Sequence, residues 1–395
     1  MGNTFETGME YVMHTYSRFP LVLESGNGVY VTDENGKEYL DFVAGIAVNS
    51  LGSNNPKLCK AIAEQAQKLI HVSNLYWTKP QINLAKKLVE NSCFSKVFFC
   101  NSGAESIEAA LKLSRKYSVK KGYERHEIIS MVNSFHGRTF GAVSATGQPK
   151  YQKGLSPLLP GVNHVPFNDF EALKAAVTSK TCAIVIEPLQ GEGGIHPADK
   201  EYLKQVRELC DETDIVLIFD EIQCGVGRLG TLFAYETFGV EPDIAVFAKG
   251  LAGGVPIGAM MANEKVVVGF EPGDHASTFG GNSLATAAGN VVMDELLENG
   301  LLANVKEMGA YLSDSLAKLK AKHSMIVEAR GIGLMQGIEL NIPVGDIINK
   351  CIDNGLLLVN AGTNIIRFVP ALIVTKNDID KCMEILDNVL SEIIE

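Results

Sequence analysis

Between residues 97 and 261 the chain alternates short, wholly apolar runs with helical stretches, and that alternation leaves few folds open. The runs occupy 97–100, 128–132, 183–186, 215–219, 244–247 and 258–261. Helical patterns over 106–119, 170–177 and 200–212 separate many of them. A strand that is apolar at every position suits a sheet covered on both faces, and strands alternating with helices argue for a mostly parallel sheet. The expected class is α/β.

Two of these runs end on ionisable residues. Asp220 closes the run 215–219, and Lys249 follows 244–247 after one alanine. Open α/β sheets bind ligands at the carboxyl ends of their strands. A carboxylate and an amine at two such ends are the pair that a pyridoxal 5'-phosphate (PLP) enzyme needs. The lysine forms a Schiff base with the cofactor, and the acid keeps the pyridine nitrogen protonated so that the ring accepts electrons.

A chain of 395 residues is too long for one simple core. Residues 61–290 read as a large PLP-binding domain. The pattern changes near 290: a long amphipathic helix over 304–319, strand-like pieces at 325–328, 334–339 and 365–368, and a helix over 377–394. Residues 291–395 read as a smaller α+β domain, joined by an N-terminal segment, 1–60. That segment holds a hairpin signal, with a turn at 33–36 between 30–32 and 37–40; helical periodicity follows over 56–70 and 81–90.

The net charge of −11 and the lack of a long basic run argue against nucleic acid and anionic membranes as partners. No apolar run approaches the roughly 20 residues of a membrane helix. Residues 1–20 look like neither a signal nor a transit peptide. The eight cysteines are scattered without a Cys-x-x-Cys pair, which fits reduced thiols, a cytoplasmic location and no metal site.

Several loops between strand and helix patterns carry candidate groups. In Asn101-Ser102-Gly103-Ala104-Glu105, small residues permit an anion at a helix N-terminus, and Ser102 with Glu105 equally makes a capping box. In Ser134-Phe135-His136-Gly137-Arg138, the phenylalanine suits stacking on a ring or core packing. Arg138 suits a bidentate grip on a carboxylate or a surface ion pair. His136 reads as a histidine satisfied by backbone. Glu187 and Glu192 follow the run 183–186, and one of them would pair with Arg367 if that arginine is buried. Ser277-Thr278-Phe279-Gly280-Gly281 presents hydroxyls to a phosphate or forms a turn. Gly225-Val226-Gly227-Arg228-Leu229-Gly230 spells a dinucleotide fingerprint. Four residues separate it from Asp220 and a poor helix follows, so glycines shaping a loop around Asp220 account for it better.

Taken together, 39–49, 101–105, 135–139, 187–194, 219–227, 248–258, 277–282 and 330–335 resemble, in order, the segments of the class III aminotransferases, a fold-type I family of PLP-dependent transferases. Within the family the likeness is to enzymes acting on acetylornithine. The resemblance implies that Lys249 holds PLP, that Asp220 pairs with the pyridine nitrogen and that Gln223 lies near the ring hydroxyl. Phe135 would stack on the ring, and Ser102, Gly103 and Ala104 would bind the phosphate, with Thr278 reaching it from the other subunit of a homodimer. Arg138, Glu192, Ser277 and Arg367 would contact substrate. Arg138 would bind a carboxylate, and Arg367 the α-carboxylate of glutamate, with Glu192 covering it when the other substrate is bound.

The implied reaction moves the terminal amine of acetylornithine to 2-oxoglutarate in a ping-pong cycle. Ornithine enzymes of the class carry a tyrosine where this chain has Gly45-Ile46, which fits a capped α-amine. Succinylated donors and 4-aminobutyrate stay open, as do a dinucleotide oxidoreductase and a PLP-binding module without turnover.

Overall fold

The computed structural model describes residues 4–394. Near the start, β1 (Leu23–Asn27), β2 (Tyr30–Asp33) and β3 (Glu38–Asp41) form an antiparallel meander. The β2–β3 turn is the expected hairpin. Asp33 fixes it by accepting the amides of Asn35 and Lys37, each at 2.9 Å, and the Tyr39 hydroxyl at 3.0 Å.

The central sheet is built from β4 (Lys96–Cys100), β5 (Glu127–Met131), β6 (Val162–Val165), β7 (Thr181–Ile186) and, after a short hairpin of β8 (Leu189–Gln190) and β9 (His196–Pro197), β10 (Val216–Asp220), β11 (Ile244–Phe247) and β12 (Gly258–Ala262). Its order is β4-β12-β11-β10-β7-β5-β6, and β12 alone runs antiparallel to its neighbours. Strands β7, β10, β11 and β12 are buried at every residue, which is why their sequences lack polar alternation. Helices cover the sheet, and their starts are capped by short polar side chains: Ser102 before Gly103–Lys120, Asp199 before Lys200–Thr213 and Asn282 before Ser283–Leu297. The first of these begins three residues earlier than its apolar periodicity indicates, because Ser102 accepts the Glu105 amide.

Beyond the helix Leu301–Lys322 come β13 (Ile326–Ile332), β14 (Met335–Leu340), β15 (Leu356–Leu357), β16 (Val359–Asn360) and β17 (Ile365–Phe368), then the helix Lys376–Ile394. Strands β13-β14-β17-β16 form one antiparallel sheet. Strand β15 leaves it and pairs in parallel with β3, Leu356 opposite Leu40, so the two ends of the chain share a sheet. Among the described residues no helix is long and apolar enough to cross a membrane, and no cluster of side chains suits a metal ion.

One local feature had no sequence signal. Ala44, Gly45, Ile46 and Ala47 all have positive φ, at 48°, 65°, 64° and 61°. A left-handed turn of this kind costs about 1–2 kcal/mol for each residue with a Cβ. Asp41 anchors it, accepting the amides of Val43 and Ala44 at 2.9 Å each, and Val48 and Asn49 donate back to the Ala44 carbonyl. Just beyond it, the Ser50 hydroxyl donates to the Gly250 carbonyl at 2.9 Å, next to Lys249.

Candidate active site

Strands β4, β5, β7, β10 and β11 point the same way, so the residues leaving them gather at one edge of the sheet. Ser102, Gly103, Ala104, Phe135, His136, Glu187, Asp220, Gln223 and Lys249 line one cavity of about 350 Å³ there. The small residues permit close packing: a Cβ on Gly103 would lie 2.7 Å from Ile222 Cδ1, and one on Gly137 would lie 2.7 Å from Ala104 Cβ. Ser102 caps the helix as expected, but the backbone amide that Glu105 accepts is that of Asn101, at 2.6 Å, and from Ser102 it accepts only the hydroxyl, at 3.4 Å. The box is displaced by one residue because Asn101 is already turning out of β4.

Lys249 sits in the cavity wall at φ +41°, in a region that only a few per cent of residues with a Cβ adopt. Burial lowers its pKa, and the positive charge of Arg367 adds to that; Glu192, Asp220 and Glu187 oppose it. A neutral amine is the nucleophilic form.

Asp220 is buried at the end of β10. One carboxylate oxygen accepts the Ile222 amide at 3.0 Å, and the other meets His136 Nδ1 at 2.7 Å. His136 Nε2 is 3.1 Å from the Ser130 hydroxyl. The expectation that backbone satisfies His136 is therefore corrected: its ring is held by two side chains, one of them 84 residues away in sequence. Burial alone would lower the pKa of His136, but the hydrogen bond and charge of Asp220 outweigh it and raise it.

The two glutamates after β7 divide. Glu187 makes no ion pair among the described residues; it accepts the amides of Phe135 at 3.0 Å and Gly191 at 3.3 Å, and burial pushes its carboxyl up to about 7. Glu192 takes the arginine: its Oε1 lies 2.5 Å from Arg367 Nη1, and Arg367 is only 1% exposed. Burial would raise Glu192, but Arg367 outweighs it and lowers it. Arg367 Nη1 also donates to Gln223 Oε1 at 3.0 Å, a link that connects this pair to the cavity wall and that sequence reasoning did not find.

Arg138 is exposed and makes no ion pair among the described residues; its guanidinium carbon lies 4.0 Å from the ring centre of Tyr151 and 5.5 Å from that of Phe135. Ser277 and Thr278 stay outside the cavity within one chain. The Ser277 hydroxyl accepts Asn101 Nδ2 and the Gly280 amide, each at 3.1 Å, and Thr278 is exposed. The glycines of 225–230 belong to a loop packed on the later helices. Cβ atoms on Gly227 and Gly230 would meet Leu296 at 2.4 Å and Lys306 at 2.8 Å, and the helix that follows is only Ala234–Phe238. No nucleotide cradle is built there.

A family model for class III aminotransferases matches residues 11–390. The chain belongs to the class III aminotransferases. It is 55% identical to an acetylornithine aminotransferase from Caldanaerobacter subterraneus subsp. tengcongensis, over 97% of this chain and 98% of that one. It is 52% identical to the acetylornithine aminotransferase of Methanocaldococcus jannaschii, over 99% and 98%. Among solved structures, N-acetylornithine aminotransferase from Stenotrophomonas maltophilia matches with a TM-score of 0.85 at 37% identity, covering 99% of both chains. Ornithine aminotransferase from Toxoplasma gondii matches with a TM-score of 0.94 at 32% identity, covering 99% of this chain and 94% of that one. The class III enzymes are PLP-dependent, and the cavity fits that cofactor: it joins a half-buried lysine, a buried carboxylate held by a histidine, an aromatic ring and a capped helix start of small residues.

Proposed function

We propose that this aminotransferase moves the terminal amino group of N2-acetyl-L-ornithine to 2-oxoglutarate, giving N-acetyl-L-glutamate 5-semialdehyde and L-glutamate, a step of arginine biosynthesis. The Glu192–Arg367 pair carries the reading. The site must take a terminal amine in one half-reaction and an α-amine in the other. An arginine that is covered in the first and uncovered in the second meets both needs. Identity of 50% or more to several acetylornithine aminotransferases supports the donor. Fold likeness does not discriminate, since an ornithine enzyme superposes at least as well as an acetylornithine one. Gly45-Ile46 offers no hydroxyl to a free α-amine, which favours an acylated donor over ornithine.

When bound, PLP supplies the electron sink that stabilises negative charge on the amine-bearing carbon. Lys249 would hold it covalently and would carry the proton of that carbon. Asp220, tied to His136, would keep the ring nitrogen protonated, Phe135 would pack on the ring and Gln223 would serve its hydroxyl. Ser102, Gly103 and Ala104 would take the phosphate. Arg138 takes a substrate carboxylate, and Arg367 takes the α-carboxylate of glutamate.

The enzyme is a homodimer in this reading, with Thr278 and Ser277 serving the partner's site. Exposed Leu75, Tyr76, Trp77 and Phe279 support this, since Trp77 is 87% exposed in the single chain. Residues 61–290 form the PLP-binding domain, 291–395 the small domain and 1–60 the segment that joins it; the β3–β15 pairing supports that division. The reading also takes the enzyme to be cytoplasmic. A steady-state panel of acetylornithine, succinylornithine, ornithine, succinyl-diaminopimelate and 4-aminobutyrate tests the donor, and a higher specificity constant for any of the others overturns it. Mixing inactive Lys249→Ala and Thr278→Ala subunits tests the shared site: activity should reappear in the hybrid.

A further inference from the structure

Tyr151 is absent from every motif that marks the site, yet its ring packs against Arg138. Its ring centre lies 4.0 Å from the Arg138 guanidinium carbon and 5.4 Å from the ring of Phe135, which it meets edge-on at 76°. Lys150 brings a second cation within 4.8 Å of the same ring. Arg138 is exposed, and among the described residues no carboxylate pairs with it. A long side chain in that position pays rotamer entropy to bind a substrate unless something restrains it beforehand.

The Tyr151 ring itself is well supported. It stands on the short helix Pro149–Gln152; Gln148, just before it, ties it to the start of the loop that carries Phe135 and Arg138, and Gln152, at its end, ties it to the helix Phe140–Ala145 that follows that loop. Gln148 Nε2 donates to the carbonyls of Asn133 and Ser134, at 3.1 Å each, and Gln152 Nε2 donates to those of Val143 and Thr146, at 3.1 and 2.9 Å. An aromatic face fixed in this way attracts a guanidinium without neutralising it, whereas a carboxylate there would compete with the substrate.

We infer that Tyr151 is a positioning residue that holds Arg138 in place, still fully charged, for the carboxylate of the amino donor. The inference rests on the proposed role of Arg138 as that carboxylate's ligand. It assigns Tyr151 to selection among donors, and the ring face, not the hydroxyl, is the working part.

The test is single-turnover amino transfer in the holoenzyme, normalised to bound PLP, with three donors. Acetylornithine offers its one carboxylate to Arg138. Glutamate offers a second carboxylate in addition to the one on Arg367, and L-alanine has none to spare for Arg138. Tyr151→Leu should raise the apparent dissociation constant for acetylornithine and glutamate at least fivefold, equivalent to about 1 kcal/mol. The maximal rate should change less than twofold, and L-alanine should be unaffected. Tyr151→Phe, which keeps the ring face, should behave as wild type. In an Arg138→Met background, Tyr151→Leu should have no further effect. Equal losses with all three donors, loss of the cofactor, failure of Tyr151→Phe to restore binding or an undiminished effect in the Arg138→Met background would each overturn the inference. If Arg138→Met alone leaves acetylornithine binding intact, the role of Arg138 is what fails.

Discussion

Replacing Glu192 by glutamine keeps the shape of the side chain and removes its charge, so it isolates what the charge does to Arg367. In the resting structure the Arg367 guanidinium has one anionic partner, Glu192 at 2.5 Å, and two neutral ones, Gln223 Oε1 at 3.0 Å and the Asn360 carbonyl at 3.3 Å. With glutamine the guanidinium still donates to a neutral amide oxygen, a bond of about 1.5–3 kcal/mol because one member stays charged, but the attraction between two opposite charges is lost, so the cover on Arg367 weakens on the order of 1–2 kcal/mol. In the proposed reading, glutamate would displace that cover to place its α-carboxylate, and acetylornithine would react with it closed. The glutamate half-reaction should therefore hold or improve while the acetylornithine half-reaction declines. The ratio of their specificity constants should shift at least tenfold, the factor that corresponds to about 1.4 kcal/mol. Rapid-mixing measurement of each half-reaction, corrected for bound PLP, reads the ratio directly. A fall of equal size in both halves would refute the reasoning and leave Glu192 as a structural partner only.

Three further outcomes follow from the same geometry. Lys249→Ala should still bind PLP noncovalently but lose transamination, and borohydride reduction of the wild type followed by peptide mapping should place the pyridoxyl label on Lys249 alone. Asp220→Asn should retain PLP and lose several kcal/mol of transition-state stabilisation, as when other preorganised electrostatic groups are removed; kcat/KM within threefold of wild type would exclude Asp220 as the partner of the ring nitrogen. Because Asp220 raises the pKa of His136, the stability contributed by this pair is complete below the ordinary histidine value of about 6.5 and is lost as pH rises through the higher folded value. The Tm deficit of His136→Asn should accordingly be largest in mild acid and shrink on the alkaline side, and a deficit that does not vary with pH would count against a charged His136.

What could be read from the sequence was whatever repeats or ends locally. The fully buried strands β7, β10 and β11 announce themselves as apolar runs, and Asp220 and Lys249 stand out because an ionisable group at the end of such a run is costly. Arg367 could be matched to a glutamate for the same reason: a buried guanidinium needs an anion. The contacts that sequence did not disclose join residues that carry no pattern. His136 meets Asp220 because the central sheet brings the ends of β5 and β10 to one edge, and Arg367 meets Gln223 because β17, in the other sheet, faces the loop beyond β10. Tyr151 resembles any surface tyrosine until its ring is seen beside Arg138. The left-handed turn at Ala44–Ala47 contains one glycine and three residues that disfavour it, so propensity points elsewhere and tertiary anchoring through Asp41 prevails. The direction of β12 was also hidden, because an apolar run reads the same both ways.

The pairing of β3 with β15 and the placing of Arg367 on β17 also bear on how the enzyme is made. The residues that line the cavity all lie between Val48 and Ile257, whereas Glu192 waits for a partner 175 residues further along. At a synthesis rate of about 5–20 residues per second, a ribosome delivers the cavity lining on the order of ten seconds before it delivers Arg367. A chain stalled in that interval would own the lysine, the carboxylate and the helix start that line the cavity, and Arg138 as well, but Glu192 would have no arginine to cover. In the proposed reading, completion of the C-terminal strands is thus the event that adds the switch between the two half-reactions.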